Sequence, residues 1–129
     1  MSDSNPIVII DDDHSVRKSL QGLIRSAGFA VKIFASAEEY LRSPVSDKTE
    51  ILVIDVRMPG MSGLELQRRL LEIHCDIPII FMTAHDDETA RLQALKRGAI
   101  DYLFKPFGEN VLMNAIYAAL IIRLGKSFV

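Results

Sequence analysis

The sequence predicts an α/β protein in which a doubly wound, five-stranded parallel sheet carries helices on both faces. Three observations predict it: short apolar runs rich in β-branched residues, intervening segments with helical apolar spacing, and a fivefold alternation of the two. A strand that returns parallel to its neighbour needs a crossover, and a helix is the usual way to build one.

The elements follow in order. Ile7–Ile10 is a strand-sized run stopped by acids, as expected of a strand buried on both faces. Ser15–Ala27 places Val16, Leu20, Leu23, Ile24 and Ala27 on one stripe, and Gly28 ends it. Ala30–Phe34 reads as the second strand, and Ser36 caps a short helix through Leu41. Ile51–Ile54 is the third strand, and Gly63–His74 repeats the helical pattern with Leu64, Leu66, Leu70, Leu71 and Ile73. Ile77–Met82 is the fourth strand, and Asp86 or Asp87 opens a helix that runs to Lys96 and stops at Gly98. Asp101–Phe104 is a weaker fifth strand.

The last helix, Asn110–Gly125, has an unusual pattern. Val111, Leu112, Met113, Ile116, Tyr117, Leu120, Ile121, Ile122 and Leu124 point around its whole circumference, interrupted by Asn114 and Arg123. A helix apolar all round is expected to be buried all round. In a one-domain protein its outer face would meet water and leave a patch of the kind that marks an interface.

Bulk properties set the limits. The 129 residues suit one domain over 1–129, with a core at about 6–124, and 49% hydrophobic with 25% charged residues is a globular balance. Cys75 is the single cysteine, which excludes an internal disulfide and a cysteine-based metal cage. Fifteen basic against seventeen acidic residues leave a net charge of −2, without the basic footprint that direct nucleic-acid binding needs. No apolar stretch approaches the roughly 20 residues of a membrane span, and Met1–Pro6 does not read as a secretion signal. A cytoplasmic protein is expected.

In open parallel sheets, ligands bind beyond the carboxyl ends of the strands. Those positions hold Asp11, Asp12 and Asp13 after the first strand, Asp55 after the third, Thr83 after the fourth and Lys105 after the fifth. With a strand order of 2-1-3-4-5 the four strands with polar tips are neighbours, and strand two, which ends in Phe34 and Ala35, lies outside. Crowded carboxylates raise one another's pKa and need a proton or a cation. An oxygen-only donor set suits a hard ion such as Mg2+, with Mn2+ as the alternative. Phosphoryl transfer uses this set of groups: a carboxylate such as Asp55 attacks phosphorus, while metal and Lys105 neutralise the phosphoryl oxygens.

Taken singly, each feature has a plainer reading. An acidic run after a strand is often a solvated helix start, Asp55 could be a cap, Thr83 a strand end, Lys105 a surface lysine, and Tyr102 a packing residue. His14 and His74 read as exposed or capping residues.

The residues Asp11-Asp12, Ile54 through Gly63, Met82-Thr83-Ala84 and Lys105-Pro106-Phe107 resemble, in that order, the motifs of response regulator receivers of two-component systems. The resemblance runs from about Ile7 to the last helix and is strongest to receivers of the nitrogen-fixation regulator type. It implies the flavodoxin-like (βα)5 fold and a switch that is not an enzyme beyond its own phosphorylation and dephosphorylation. Asp55 would accept the phosphoryl group from a sensor histidine kinase. Asp12, Asp55 and the backbone carbonyl of Arg57 would hold Mg2+, with Asp11 acting through a water. Thr83 and Tyr102 would be the switch pair, Lys105 would pair with the phosphate, and Lys105-Pro106 would be cis. Ala84, His85, Arg57 and Pro106 would modulate the site. The last helix, fourth helix and fifth strand would form a dimer or output-domain surface.

Three other functions compete. A Mg-dependent aspartyl-phosphate hydrolase needs a second Asp two positions after the nucleophile, where Arg57 stands. A flavin-phosphate binder needs hydroxyls and glycines after the first strand, where acids stand. A phosphate-independent docking module would not need the acidic site.

Overall fold

A computed structural model describes residues 5–127. β1 (Ile7–Ile10), β2 (Val31–Phe34), β3 (Ile51–Asp55), β4 (Ile79–Thr83) and β5 (Asp101–Phe104) form one parallel sheet in the order β2-β1-β3-β4-β5. Around it lie α1 (His14–Ser26), α2 (Ala37–Arg42), α3 (Gly63–Glu72), α4 (Glu88–Lys96) and α5 (Glu109–Ser127). A short 3-10 turn at Pro44–Asp47 joins α2 to β3, an element the apolar pattern does not reveal.

Successive strand residues point to opposite faces, so each central strand serves two cores. Ile7, Ile9, Val53, Ile80 and Met82 pack against Leu20 and Ile24 of α1 and Leu112, Ala115, Ile116 and Ala119 of α5. Val8, Ile10, Leu52, Ile54 and Phe81 pack against Tyr40, Leu66, Leu70 and Ala94 on the other face. These strands therefore read as unbroken apolar runs rather than alternating ones. Each buried Ile or Leu contributes about 1.5–3 kcal/mol relative to an exposed one, which makes the sheet the rigid frame of the molecule.

Side-chain caps start the helices. Asp13 Oδ1 accepts from the Ser15 and Val16 amides at 2.8 and 3.2 Å, so α1 begins one residue earlier than its apolar stripe. Ser36, Ser62 and Asp87 cap α2, α3 and α4, each accepting from an amide three residues on at 3.1 Å.

Several boundaries differ from the sequence expectation. β2 begins at Val31 rather than Ala30. β4 starts at Ile79 rather than Ile77, because Pro78 has no amide to give the ladder, and it extends through Thr83. α3 ends at Glu72 rather than His74, whose φ of 56° takes the chain out of the helix. α5 continues to Ser127, beyond the expected Gly125.

α5 is apolar all round but covered on one side, so its outer face meets water, as expected of a one-domain protein. The Leu112, Ala115, Ile116 and Ala119 stripe is buried and Met113 and Leu120 are partly covered, while Val111, Tyr117, Ile121, Ile122 and Leu124 are exposed. A sheet face can cover just one side of a helix lying on it.

Gly63 opens α3 directly against the end of β3. A Cβ there would lie 2.5 Å from the Asp55 carbonyl oxygen and 3.2 Å from Val56 Cα, both backbone atoms that cannot swing aside. Gly63→Ala is expected to destabilise the fold by about 1–3 kcal/mol, read as a lower urea midpoint. Gly22, in the middle of α1 with open space around it, should respond oppositely, Gly22→Ala adding about 0.5–1 kcal/mol.

Candidate functional site

The strand order brings the tips of β1, β3, β4 and β5 together. Asp55 ends β3 beside Met82 in the register, and Thr83, one residue further along β4, pairs with Phe104 of β5. Lys105 follows Phe104, and its amide donates to the Thr83 carbonyl at 2.7 Å. The Lys105–Pro106 bond is cis, as the resemblance implies.

Lys105 Nζ donates to Asp11 Oδ2 at 2.7 Å and to Asp55 Oδ2 at 2.9 Å. Asp11 is fully buried, Asp55 is 8% exposed and Lys105 is half-buried, so one ammonium answers two carboxylates where water is scarce. Asp11 Oδ1 accepts from the Asp13 amide at 2.9 Å, and Asp55 Oδ1 from the Arg57 amide at 3.1 Å. Arg17 from α1 donates to the Asp11 carbonyl at 2.7 Å, tying the first helix to the same loop.

Burial pushes the Asp55 carboxyl above its ordinary pKa, a rise that hydrogen bonds from Lys105 and the Arg57 amide oppose and neighbouring Asp11 reinforces. For Lys105 burial works downward, yet the bonds to Asp11 and Asp55 outweigh it and hold the ammonium above its ordinary value.

Asp11, Asp12 and Asp55 each offer a carboxylate oxygen within 4.8 Å of the others. Three hard oxygen donors, one of them on exposed Asp12, fit a divalent cation of the magnesium kind. Asp13 stands apart because its side chain is committed to capping α1.

The other candidates fall around this group. Thr83 is buried, with its Oγ1 accepting from the His85 amide at 3.0 Å. Ala84, His85 and Pro106 are exposed at the rim, with Ala84, Lys105 and Pro106 lining a groove of about 540 Å³ against α1. Tyr102 lies inward, 6% exposed, between Phe81 and Phe104 at ring-centroid distances of 6.2 and 5.6 Å. Its hydroxyl is buried with no hydrogen-bond partner among the described residues. His14 and His74 are exposed and away from the site.

Sequence reading missed two contacts. Glu38 of α2 accepts from the Met61 amide at 2.8 Å, bracing the loop after Asp55. Arg57 donates to Asp87, the cap of α4, at 3.1 Å. A sequence can mark Asp87 as a cap, but nothing local pairs it with a residue thirty positions away.

Acids, a hydroxyl and a lysine thus converge at the strand tips of a 2-1-3-4-5 sheet, and comparison with known proteins gives this arrangement its class. Residues 7–117 match the response regulator receiver domain, so the chain belongs to that family. It is 46% identical to nodulation protein W of Bradyrhizobium diazoefficiens over 113 residues, 88% of this chain and 50% of that protein. It is 43% identical to the transcriptional regulatory protein FixJ of Rhizobium meliloti, over 86% of this chain and 54% of that one. The crystal structure of FixJ-N superimposes with a TM-score of 0.82 at 42% identity, covering 93% of this chain and 95% of that one. The response regulator StyR gives a TM-score of 0.86 at 45% identity, over 95% and 63% of the two chains.

The chain spans about half the length of these curated relatives. It is the receiver domain of a two-component response regulator, homologous to transcriptional regulators. No helix among the described residues is long and apolar enough to cross a membrane.

A raised Asp55 pKa has a stability consequence. The proton-bound form adds stability below the ordinary carboxylate range, and that stability is lost as pH rises through the folded-state value. In metal-free buffer at neutral pH, Asp55→Asn should therefore melt at a higher temperature than wild type. The difference should narrow as pH falls through the folded-state value and close below the ordinary Asp value of about 3.9, where Asp55 becomes neutral in both states.

Proposed function

We propose that Asp55 is the phosphoacceptor of a signalling switch and that Lys105 is the group that makes the transfer possible. The observation that carries this reading is the ammonium bridging Asp11 and Asp55 at 2.7 and 2.9 Å. It is a fixed positive charge at the place where phosphoryl oxygens would gather negative charge.

In the proposed transfer, an Asp55 carboxylate oxygen attacks the phosphorus of a histidine kinase's phosphohistidine or of a small acyl phosphate. A P–O bond to Asp55 forms as the bond to the donor's imidazole nitrogen or carboxylate oxygen breaks, and the leaving group takes its electron pair. Mg2+, or Mn2+, held by Asp12, Asp55 and the Arg57 backbone carbonyl, with Asp11 through a water, would draw charge from the phosphoryl oxygens. Lys105 turns from Asp55 toward a phosphoryl oxygen while keeping Asp11. Thr83 exchanges its bond from the His85 amide for one in which its hydroxyl donates to the phosphate. Tyr102, already inward and with no partner for its hydroxyl among the described residues, responds as Thr83 moves, and this pair reshapes the surface of α4, β5 and α5. Ala84, His85, Arg57 and Pro106 at the rim govern access of water and donor.

Receiver domains work with histidine kinases and output domains, and the relatives of this chain include transcriptional regulators. The proposed output is control of a transcriptional domain or of a homodimer through the exposed α5 face, in the cytoplasm and with no direct nucleic-acid contact by this domain. Arg57 argues against an aspartyl-phosphate hydrolase, because the position that would need a second acid holds a guanidinium bonded to Asp87. The assembled acid–lysine site argues against a phosphate-independent docking module.

Incubation with Mg2+ and acetyl phosphate should add one phosphoryl group to wild type by intact mass and none to Asp55→Asn. Addition to both would refute Asp55 as acceptor. Lys105→Met should take up phosphate at least about tenfold more slowly, in line with the loss of one positioned charge in the transition state. For the output, sedimentation should show the phosphorylated form associating more strongly than the unmodified one, an effect that Ile122→Glu on the α5 face would abolish.

A further inference from the structure

We infer that the Arg57–Asp87 ion pair is a latch that holds the N-terminal end of α4 at rest and opens when negative charge accumulates on Asp55. The inference rests on the reading of Asp55 as phosphoacceptor and specifies how that site reaches the helix.

One carboxylate does two things here. Asp87 Oδ1 accepts from the Ala90 amide at 3.1 Å and caps α4, while Oδ2 accepts from Arg57 Nη2 at 3.1 Å. The Arg57 amide in turn donates to Asp55 Oδ1 at 3.1 Å. The acceptor carboxylate and the first turn of α4 are thus joined through a single residue. Tyr102 lies close enough for the charges of Asp87 and Arg57 to act on its hydroxyl.

The helix at the end of this chain is lightly held. α4 buries only Ala90 and Ala94, whereas α3 buries Leu66 and Leu70. Its far end is pinned by Gln67 Nε2, which donates to the Ala94 carbonyl at 3.0 Å from a buried position. Its near end has the small Ala90 side chain and the ion pair. The helix can pivot at Ala94 if the pair lets go.

An aspartyl phosphate carries more negative charge than a carboxylate and offers the guanidinium a better-matched set of oxygens. Arg57 then turns toward the phosphoryl group, and Asp87 is left without its cation and facing a like charge. The pair is exposed, at 53% for the Arg57 side chain and 36% for Asp87, so the latch is weak and salt-sensitive. A weak latch suits a switch, because the incoming charge has little to overcome.

The test is titration of the full chain with beryllofluoride and Mg2+, a phosphoryl mimic, at low ionic strength and again in concentrated salt. Asp87→Asn and Asp87→Ser both keep a capping oxygen but remove the charge, so α4 still starts normally. Each should bind the mimic about two- to fivefold more tightly than wild type at low salt, and the gain should shrink to within error at 1 M salt, where the screening length falls to about 3 Å. Asp86→Asn, which removes an exposed neighbouring charge outside the pair, should change binding by less. In the Arg57→Ala background Asp87→Asn should add nothing.

Equal or weaker binding by both Asp87 variants at low salt overturns the latch, as does a gain that survives 1 M salt or persists without Arg57. If wild type fails to bind beryllofluoride at all, the reading of Asp55 falls and the latch with it. Binding without the salt-dependent difference removes the latch alone.

Discussion

The arrangement of the site depends on one ammonium group. Lys105 stands between Asp11 and Asp55 and gives these two buried carboxylates a shared cation where water is scarce. Breaking such a pair by removing one partner leaves an uncompensated buried charge, which is why β1, β3 and β5 must end at the same place. The Asp11 bond to the Asp13 amide and the Asp13 cap on α1 extend this constraint into the first helix. The Asp55 bond to the Arg57 amide extends it into the loop before α3.

Rigidity and mobility are divided along the same lines. β1, β3 and β4 are buried on both faces by large aliphatic side chains, so the strand tips hold their positions. α4 buries only two alanines, with Leu95 partly covered, and Tyr102 shares its core with no partner for its hydroxyl among the described residues. A chemical event on the rigid edge can therefore be expressed in the loosely held helix without disturbing the core. Elements of low local stability are where conformational change is least costly. The exposed apolar side chains of α5, among them Tyr117 and Ile122, are a second surface, carried by a helix that touches β5.

Much of this was legible in the sequence, for physical reasons that differ by element. Strands buried on both faces must be apolar throughout, so Ile7–Ile10 and Ile51–Ile54 stand out, and glycine stops mark Gly28 and Gly98, both at positive φ. Acids, a hydroxyl and a lysine directly after such strands mark the site, because residues there leave the core. Boundaries were less legible. Pro78 delays β4 and His74 ends α3 through backbone effects that an apolar stripe does not record. The exposed apolar face of α5 was legible as well: periodicity reports more apolar surface than one sheet face can cover, though not what else covers it.

The sequence by itself determined the alternation of strand and helix, the family, and the identity of the groups at the strand tips, since these follow from local composition and order. Only the tertiary structure decided which groups meet: that Lys105 serves both Asp11 and Asp55, that Asp13 is a cap, that Tyr102 lies inward, and that Arg57 reaches Asp87. Partnership across dozens of residues is set by strand order and register, and charge interactions at a few ångströms are decided by placement that no linear spacing contains.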